Sequence, residues 1–496
     1  MWSTYRMRSH AADASSVISN GSREPSIPLC VDLDGTMIRG NLLWESVVLL
    51  LKHHTVWLFL VPWWLLIGGR PRLKRELAQR SPVDPVDLPY NQELLDFLKR
   101  ERQGGRQIVL ITASDQVLAQ QIGTHTAVFH EVHGTSAGNN LKGRKKAEFL
   151  CTKFGERGFD YAGDSPSDMP VWRVANAAYV VGTEVTVAQV AAVTEVLGWF
   201  PGGTGISGDW WRALRISHWS KNLLMFAPLL LAHRMGWQPL LRILLGIVLF
   251  GLCSSGVYVL NDLLDLHSDR AHPWKRSRPF AAGDLSITSG IAASLVLLAS
   301  AVGLGAVLLS ARFAGVLVLY VITTTWYSLH LKRIALLDVF VLSIFYSFRI
   351  WAGALVASVP LSQWFMGFIL FFFLSLAMAK RYSELVQAAE LTDSGNSGRN
   401  YRTADRALLM NIGIASCFSA IVILSLYVHS TEVMALYRRP GLLLILCPLV
   451  LYWTGRIWLK ASRGELNEDP VTLAMKDAVS YYVAAASVAV ILLSSW

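Results

Sequence analysis

"NDLLDLHSDR", residues 261–270, sets three aspartates at the end of a strongly apolar run, where burying a charge is most expensive. At 100° per residue, Asp262, Asp265 and Asp269 fall within about 60° of one another on a continuous helix, because offsets of three and seven residues nearly complete whole turns. Three carboxylates on one face repel each other unless a cation sits among them. Hard oxygen ligands in this arrangement suit Mg²⁺ that also coordinates a diphosphate. The next stretch, "RAHPWKRSRP" (270–279), carries Arg270, Lys275, Arg276 and Arg278, which suit phosphate oxygens and a departing diphosphate. A solvated loop at a membrane surface, its acids paired with its own bases, is the plainer alternative.

The surroundings decide where such a loop lies. The chain has 496 residues, of which 53% are hydrophobic, and a mean hydropathy of +0.39, too apolar for an ordinary soluble protein. The first 200 or so positions read as a soluble α/β mixture and the remainder as repeated apolar spans. Nine candidate spans follow from about residue 218, at 218–235, 239–260, 286–308, 312–329, 336–357, 362–379, 407–428, 441–459 and 476–495. Arg and Lys concentrate in the connections 261–285, 329–335, 380–406 and 460–475, all on one side of the membrane, with Arg438 and Arg439 on the other. The positive-inside tendency makes the first side cytoplasmic, so a multi-pass inner-membrane protein with its sites facing the cytoplasm is expected.

The Gly-rich "WFPGGTGISGDWW" (199–211) reads as a linker, giving a domain at 28–198, a linker at 199–212 and a membrane domain at 213–496. Residues 1–27 are Ser-rich and polar with no apolar core, a disordered tail and not a signal peptide. Five cysteines lie far apart with no CxxC spacing, so neither a zinc site nor a disulfide framework is expected. The net charge of +10 fits nucleic acid, anionic lipid or phosphorylated substrates; no basic stripe interleaved with aromatics occurs, which removes nucleic acid.

A second charged loop narrows the chemistry. "YSLHLKRIALLDVFVLSIFYSFRIWAG" (327–353) carries Tyr327, Lys332, Arg333 and Asp338, with Arg349 about three turns further along a membrane helix, where a guanidinium needs a partner. Together the two loops resemble the UbiA superfamily of intramembrane prenyltransferases over about 210–496. That resemblance implies an all-α, nine-helix transmembrane bundle with two aspartate-rich motifs around a Mg²⁺–diphosphate cavity. "NDLLDLHSD" matches the first motif. The second departs from it, since Asp338 supplies the first carboxylate but Leu342 stands four residues on.

Four stretches, "LRISHWSKN" (214–222), "NDLLDLHSDRAHPWKRSRPFAAG" (261–283), "SFRIWAGALVASVPLSQWF" (347–365) and "AKRYSEL" (379–385), are similar to one branch of that superfamily, the decaprenyl-phosphate phosphoribosyltransferases. The branch implies phosphoribosyl pyrophosphate as donor and polyprenyl phosphate as nucleophile. It gives Asp262 and Asp265 catalytic and, with Asp269, Mg²⁺-binding roles. Asn261, Arg270, Lys275 and Arg278 would meet the pyrophosphate. Lys221, Arg278, Lys332, Arg349, Lys380, Arg381 and Tyr382 would fit the 5-phosphate and the lipid phosphate, with Tyr327 and Asp338 also on substrate, although Lys380 and Arg381 equally suit anchoring at the membrane face.

The N-terminal domain has its own pattern. "PLCVDLDGT" (28–36) is an apolar strand ending in Asp32-x-Asp34-Gly35-Thr36, a spacing that carries both carboxylates beyond the strand's carboxyl end. "IVLITAS" (108–114) is a second strand ending at Thr112, "GRKKAEFL" (143–150) opens a helix, and "FDYAGDSPSDMP" (159–170) ends a further strand in Asp164, with Asp168 four residues on. In order and setting these resemble the four motifs of the haloacid dehalogenase (HAD) phosphohydrolases, which implies a Rossmann-like α/β fold. Asp32 would then be the nucleophile that forms an aspartyl-phosphate, Asp34 the general acid and then base. Thr112 and Lys146 would bind the phosphoryl group; Lys145 is adjacent, and spacing from Gly143 favours Lys146. Asp164, with Asp32 and the backbone carbonyl of Asp34, would bind Mg²⁺, supported by Asp168.

An insertion near 42–90 contains "VWLFLVPWWLLIGGRPRLKR" (56–75), whose apolar run of about fourteen residues is too short to cross a bilayer. It suits a helix lying on the membrane with Arg70, Arg72, Lys74 and Arg75 at the headgroups, or a packed core helix. The expectation is a bifunctional membrane enzyme that makes polyprenylphosphoryl ribose. An aromatic prenyltransferase using polyprenyl diphosphate and a transporter with a regulatory HAD-like domain are the alternatives, and the second leaves the three aspartates without a diphosphate. Isoprenoid length and association into a homo-oligomer stay open.

Overall fold

Leu29 and Val31 of the first strand, β1 (Leu29–Val31), point into one apolar cluster and Cys30 into another, so both faces of the strand are buried. That burial requires a sheet covered on each side, which parallel strands achieve by crossing over through helices. The computed structural model describes residues 27–53, 57, 60–136, 140–202, 206–233, 236–390, 400–466 and 470–495. The tail 1–26 lies outside the described residues. By packing the chain divides into two units, residues 1–213 with 262–292, and residues 214–261 with 293–496.

In the first unit, β1 is followed by helices α1 (Leu42–His53), α2 (Val61–Arg80) and α3 (Gln92–Gln103), then β2 (Ile108–Asp115), α4 (Gln116–Thr126), β3 (Glu131–Thr135), α5 (Arg144–Phe154), β4 (Asp160–Gly163), β5 (Ala177–Gly182), α6 (Glu184–Ala191) and β6 (Glu195–Pro201). The six strands form one parallel sheet in the order β3-β2-β1-β4-β5-β6. Leu94 and Leu98 of α3 cover one face of the sheet, and Ala147 and Leu150 of α5 the other. The order reverses direction between β1 and β4, and in such sheets the crevice at that point, outside the strands' carboxyl ends, is where ligands bind. Trp199, Phe200 and Pro201 pair with Val180, Val181 and Gly182 of β5, so the sheet's last strand runs into the stretch read as a linker, and α7 (Ile206–Leu214) continues from it.

The insertion forms a helical pair with its own small core, in which Trp64, Leu73 and Leu77 of α2 pack on Leu50 of α1. Gly69 (φ 61°, ψ −160°) breaks α2, with Pro71 two residues on. Trp64 is core, as a packed helix requires, while Trp63 and Leu66 on the same helix are 58% and 81% exposed. Positions 54–56, 58 and 59 lie outside the described residues.

Among the described residues, eight helices are long and apolar enough to cross a membrane: α8 (Trp237–Leu264), α10 (Ile287–Leu308), α11 (Ala311–Leu329), α12 (Leu337–Ala357), α13 (Gln363–Gln387), α14 (Thr403–Val428), α15 (Pro440–Ser462) and α16 (Ala478–Ser495). The ninth expected span, 218–235, is not one helix. Ile216–Phe226 is a 3-10 run, and Ala227–Leu231 a short α-helix with Pro228 in its first turn. This run packs so tightly on α12 that a Cβ at Gly353 would meet the Met225 carbonyl oxygen at 2.3 Å. The span expected to end at 379 continues as α13, so Lys380, Arg381 and Tyr382 sit on a helix and not in a loop.

The short helix α9 (Leu266–Arg270) follows α8 after a break. Asp265, at φ −95° and ψ 7°, separates the two, so the continuous helix that would have carried three aspartates on one face is interrupted at its middle aspartate.

Candidate active sites

The carboxyl end of β1 places Asp32 at the switch point of the sheet. Gly35 has φ +84°, and a Cβ there would meet an Asp164 carboxylate oxygen at 2.3 Å, so only glycine lets the chain turn back across the end of β4. The turn brings Thr36 Oγ1 to donate to Asp164 Oδ1 at 3.1 Å. Asp32, Asp164 and Asp168 each offer an oxygen within 4.8 Å of the others, a donor set suited to a hard divalent cation. Lys146 is 2% exposed, and its ammonium lies 3.0 Å from Asp32, 3.3 Å from Asp168 and 2.9 Å from the Tyr161 hydroxyl. Lys145 is exposed, so position distinguishes the two lysines.

Asp34 stays outside the carboxylate–lysine contacts: its Oδ1 accepts from the Leu42 N–H at the start of α1 at 2.7 Å, and its Oδ2 accepts from the Ser114 hydroxyl, bonds that fix the carboxyl two residues beyond Asp32. Thr112 is buried and its Oγ1 accepts from the Ser114 N–H at 3.0 Å. Burial pushes the Asp32 carboxyl up to about 7, with repulsion from Asp168 and Asp34 working against the pull of Lys146. Burial, then repulsion from Asp32 and Asp168, pushes Asp164 up to about 8. Burial alone would lower Lys146, but the two aspartates more than offset it and hold its pKa above the ordinary value. A divalent cation bound among these carboxylates would displace their protons. Sequence reading missed Ser114 and Tyr161, which carry no motif signal because they act on Asp34 and on Lys146 through hydroxyl contacts.

The aspartate-rich loop is arranged differently from the spacing argument. Arg278 Nη1 lies 3.2 Å from Asp262 Oδ1 and 2.6 Å from Asp269 Oδ2, so it is the cation between these two buried carboxylates. Asp265 pairs instead with Lys52 of α1 at 3.6 Å. Arg270, expected on phosphate, gives both Nη groups to the buried Glu45 at 3.1 and 2.8 Å and its Nε to the Ala281 carbonyl at 2.9 Å, which occupies its whole fork. Lys275 is exposed in the turn Lys275–Ser277. Asn261 Oδ1 is buried with no hydrogen-bond partner, an acceptor available to a ligand.

In the second unit, Arg349 is buried. Its Nε donates to Asn222 Oδ1 at 3.0 Å and its Nη1 to the Phe345 carbonyl at 2.6 Å, and its guanidinium lies 5.2, 5.6 and 5.8 Å from the ring centres of Phe250, Tyr320 and Tyr346. Lys221 lies 5.7 Å from the same Tyr346 ring. Asp338 and Arg381, expected on substrate, bind each other: Arg381 Nε to Asp338 Oδ2 is 2.6 Å, Tyr401 donates to Asp338 Oδ1, and Glu384 also pairs with Arg381. Tyr382 packs on Trp458, and Tyr327 on Phe345. Lys332 and Lys380 are half-buried.

With this geometry, comparison with known proteins is informative. Residues 222–476 match the UbiA prenyltransferase family. A protein of Sinorhizobium fredii, y4nM, is 39% identical over 464 residues, covering 92% of this chain and 89% of that one. The nodulation protein NoeC of Azorhizobium caulinodans is 36% identical over 274 residues, covering 54% of this chain and 87% of NoeC. The decaprenyl-phosphate phosphoribosyltransferase of Mycolicibacterium smegmatis is 38% identical over 187 residues, 36% of this chain and 58% of that enzyme. With over half of its length matched and eight apolar helices in place, the chain belongs to the UbiA prenyltransferase family.

Proposed function

We propose that the chain transfers 5-phosphoribose from phosphoribosyl pyrophosphate to polyprenyl phosphate, and that its first unit is a HAD-type phosphatase that removes the 5-phosphate from the product. The observation that carries this reading is the carboxylate–lysine cluster of Asp32, Asp164, Asp168 and Lys146, suited to a phosphomonoester, in one chain with a transferase whose relatives include decaprenyl-phosphate phosphoribosyltransferases. Both reactions would proceed at the cytoplasmic face of the inner membrane.

In the transfer, a phosphate oxygen of the lipid bonds to ribosyl C1 as the C1–O bond to pyrophosphate breaks, and pyrophosphate leaves with the electron pair. Charge grows on the leaving group, so cations close to it lower the barrier. Asp262 and Asp269, now bridged by Arg278, would hold Mg²⁺ together with Asp265 once Arg278 and Lys52 turn from these carboxylates to the pyrophosphate oxygens. Arg349 and Lys221, gathered on Tyr346, suit the acceptor phosphate or the 5-phosphate. Mg²⁺ bound there supplies Lewis-acid stabilisation of departing pyrophosphate.

In the hydrolysis, an Asp32 oxygen bonds to phosphorus as the ester oxygen leaves and takes a proton from Asp34. Asp34 then removes a proton from water, which attacks phosphorus, releases inorganic phosphate and regenerates Asp32. Lys146 stays fixed between Asp32 and Asp168 and neutralises the phosphoryl charge. The exposed apolar side chains of α2, Trp63 with Leu65, Leu66 and Ile67, suit contact with the bilayer in which such a substrate is anchored.

One incubation tests the reading. Purified protein with Mg²⁺, polyprenyl phosphate and phosphoribosyl pyrophosphate should yield polyprenylphosphoryl ribose by mass spectrometry, and Asp32→Asn should stop at the 5-phosphorylated lipid. Identical phosphorylated lipid from both proteins rules out the coupled pathway. Prenyl transfer from polyprenyl diphosphate to an aromatic acid, with the sugar donor unused, replaces the transferase reading.

A further inference from the structure

Glu45 and Lys52 are seven residues apart on α1, almost two whole turns, and so share one face of that helix. Each meets the aspartate-rich loop. Glu45 is 1% exposed and takes both Nη groups of Arg270, a residue 225 positions away, while Lys52 pairs with Asp265 at 3.6 Å. Arg270 in turn bonds the Ala281 carbonyl, which ties the start of the loop to its end. Just ahead of α1, Arg39 lies 3.8 Å from Asp284, and a Cβ at Gly283 would meet the Arg39 carbonyl oxygen at 2.4 Å. The segment from Asp262 to Asp284 is therefore folded against α1 and the turn before it by one buried bidentate ion pair and two flanking pairs.

A buried bidentate pair is costly to build and is held only where both partners are fully engaged. Here it fixes the backbone of a loop whose carboxylates are already paired with Arg278 and Lys52. We propose that α1 acts as a positioning clamp on the aspartate loop: Glu45, through Arg270, and Lys52, through Asp265, preset the loop for the metal–diphosphate of the donor, so the first unit contributes positioning residues to the transfer reaction. The proposal rests on the reading of this loop as the metal–diphosphate site. It makes the N-terminal unit part of the transferase and not only a neighbour with a separate activity. The N-terminal end of α1 also reports on its own placement, because the Leu42 N–H donates to Asp34.

The test uses the full-length protein in detergent. Glu45→Gln keeps the size of the side chain and removes its charge; removing a group that orients metal ligands commonly lowers affinity by about 10–100-fold. The KM for phosphoribosyl pyrophosphate should rise on the order of tenfold, with a smaller change in kcat, while Mg²⁺-dependent hydrolysis of a soluble phosphoester stays near wild type because α1 still meets Asp34. Lys52→Met should move KM in the same direction. Backbone hydrogen exchange supplies a readout independent of the donor: with Mg²⁺ and pyrophosphate as probe, residues 265–282 should be protected in wild type and lose that protection in Glu45→Gln. Unchanged KM in both variants, or equal protection of 265–282 in wild type and Glu45→Gln, overturns the clamp. If wild type uses no phosphoribosyl pyrophosphate, the proposed transfer fails while the exchange measurement still decides the clamp.

Discussion

Arg381→Met should be among the most damaging single changes in the second unit. Asp338 is fully buried, and its two oxygens accept from Arg381 Nε at 2.6 Å and from the Tyr401 hydroxyl, which itself accepts from the Leu336 N–H at 2.8 Å. Methionine keeps the volume of the arginine stem but leaves the carboxylate with a single neutral donor. Breaking a buried pair from one side costs about 3–5 kcal/mol. Asp338→Asn is milder, because Arg381 retains Glu384 and the amide can still bond Tyr401; losing a charged hydrogen bond costs about 1.5–3 kcal/mol. Asp338→Leu with Arg381→Met removes both charges and should lie nearest to wild type. The measurement is a double-mutant cycle on the unfolding midpoint of detergent-solubilised protein, with phosphoribosyl transfer assayed in parallel. If Asp338→Asn unfolds like wild type and yet abolishes transfer, Asp338 serves the substrate and the pairing argument is wrong; if the double variant is as unstable as Arg381→Met, the pair is not the source of the loss.

Three further outcomes follow from the two sites. Because the Asp32 and Asp164 carboxyls are held up to about 7 and 8, their contribution to stability is present at low pH and lost as pH rises through those values, so metal-free protein should melt lower at pH 8.5 than at pH 6. Mg²⁺ should raise the midpoint more at the higher pH, and an equal shift at both contradicts the assignment. Asp262→Asn should reduce transfer by about 100-fold or more while hydrolysis of a soluble phosphoester is untouched, and near-normal transfer would remove Asp262 from the site. Leu66→Glu, at the exposed turn of α2, should slow hydrolysis of a bilayer-anchored phosphoester by roughly tenfold and leave a soluble one unchanged; equal effects on both would show that α2 does not seat the substrate.

The outline of both units was legible because it follows from period and strand-end chemistry. Parity along "LCV" and "IVLI" buries both faces of a parallel sheet, and the carboxyl ends of β1 and β4 bring Asp32 and Asp164 together, whereas Lys146 reaches them from α5 and was singled out only through the family resemblance. The aspartate loop was legible as a charged cluster but not in its geometry. Helical periodicity assumes the helix continues, but α8 stops at Leu264, so the helical spacing does not carry through Asp265, which pairs with Lys52 while Asp262 and Asp269 share Arg278. Long-range partners were illegible for a different reason. Glu45 and Arg270 are ordinary in their local windows, as are Asp338 and Tyr401, and only the fold shows that each pair shares a buried position. The ninth span failed on local chemistry that hydropathy ignores, since an apolar average says nothing about Pro228 or about a 3-10 run pressed against Gly353.

The two interior arginines of the second unit show how these long-range contacts redistribute the expected roles. By sequence Arg349 and Arg381 are equivalent candidates for a phosphate. In the fold, Arg381 is neutralised by Asp338 and Glu384, whereas among the described residues Arg349 meets no carboxylate: its partners are the Asn222 amide, the Phe345 carbonyl and three aromatic rings. Ring faces and amide oxygens stabilise a guanidinium without cancelling its charge. Arg349 therefore keeps a net positive charge inside an apolar bundle, where an isolated cation is expensive and an anionic ligand lowers that cost. Lys221, 5.7 Å from the centre of the same Tyr346 ring, adds a second cation. Of the interior basic side chains, Arg349 and Lys221 thus share the Tyr346 ring while Arg381 is engaged by Asp338 and Glu384, so the Asp338–Arg381 pair ties α12 to α13.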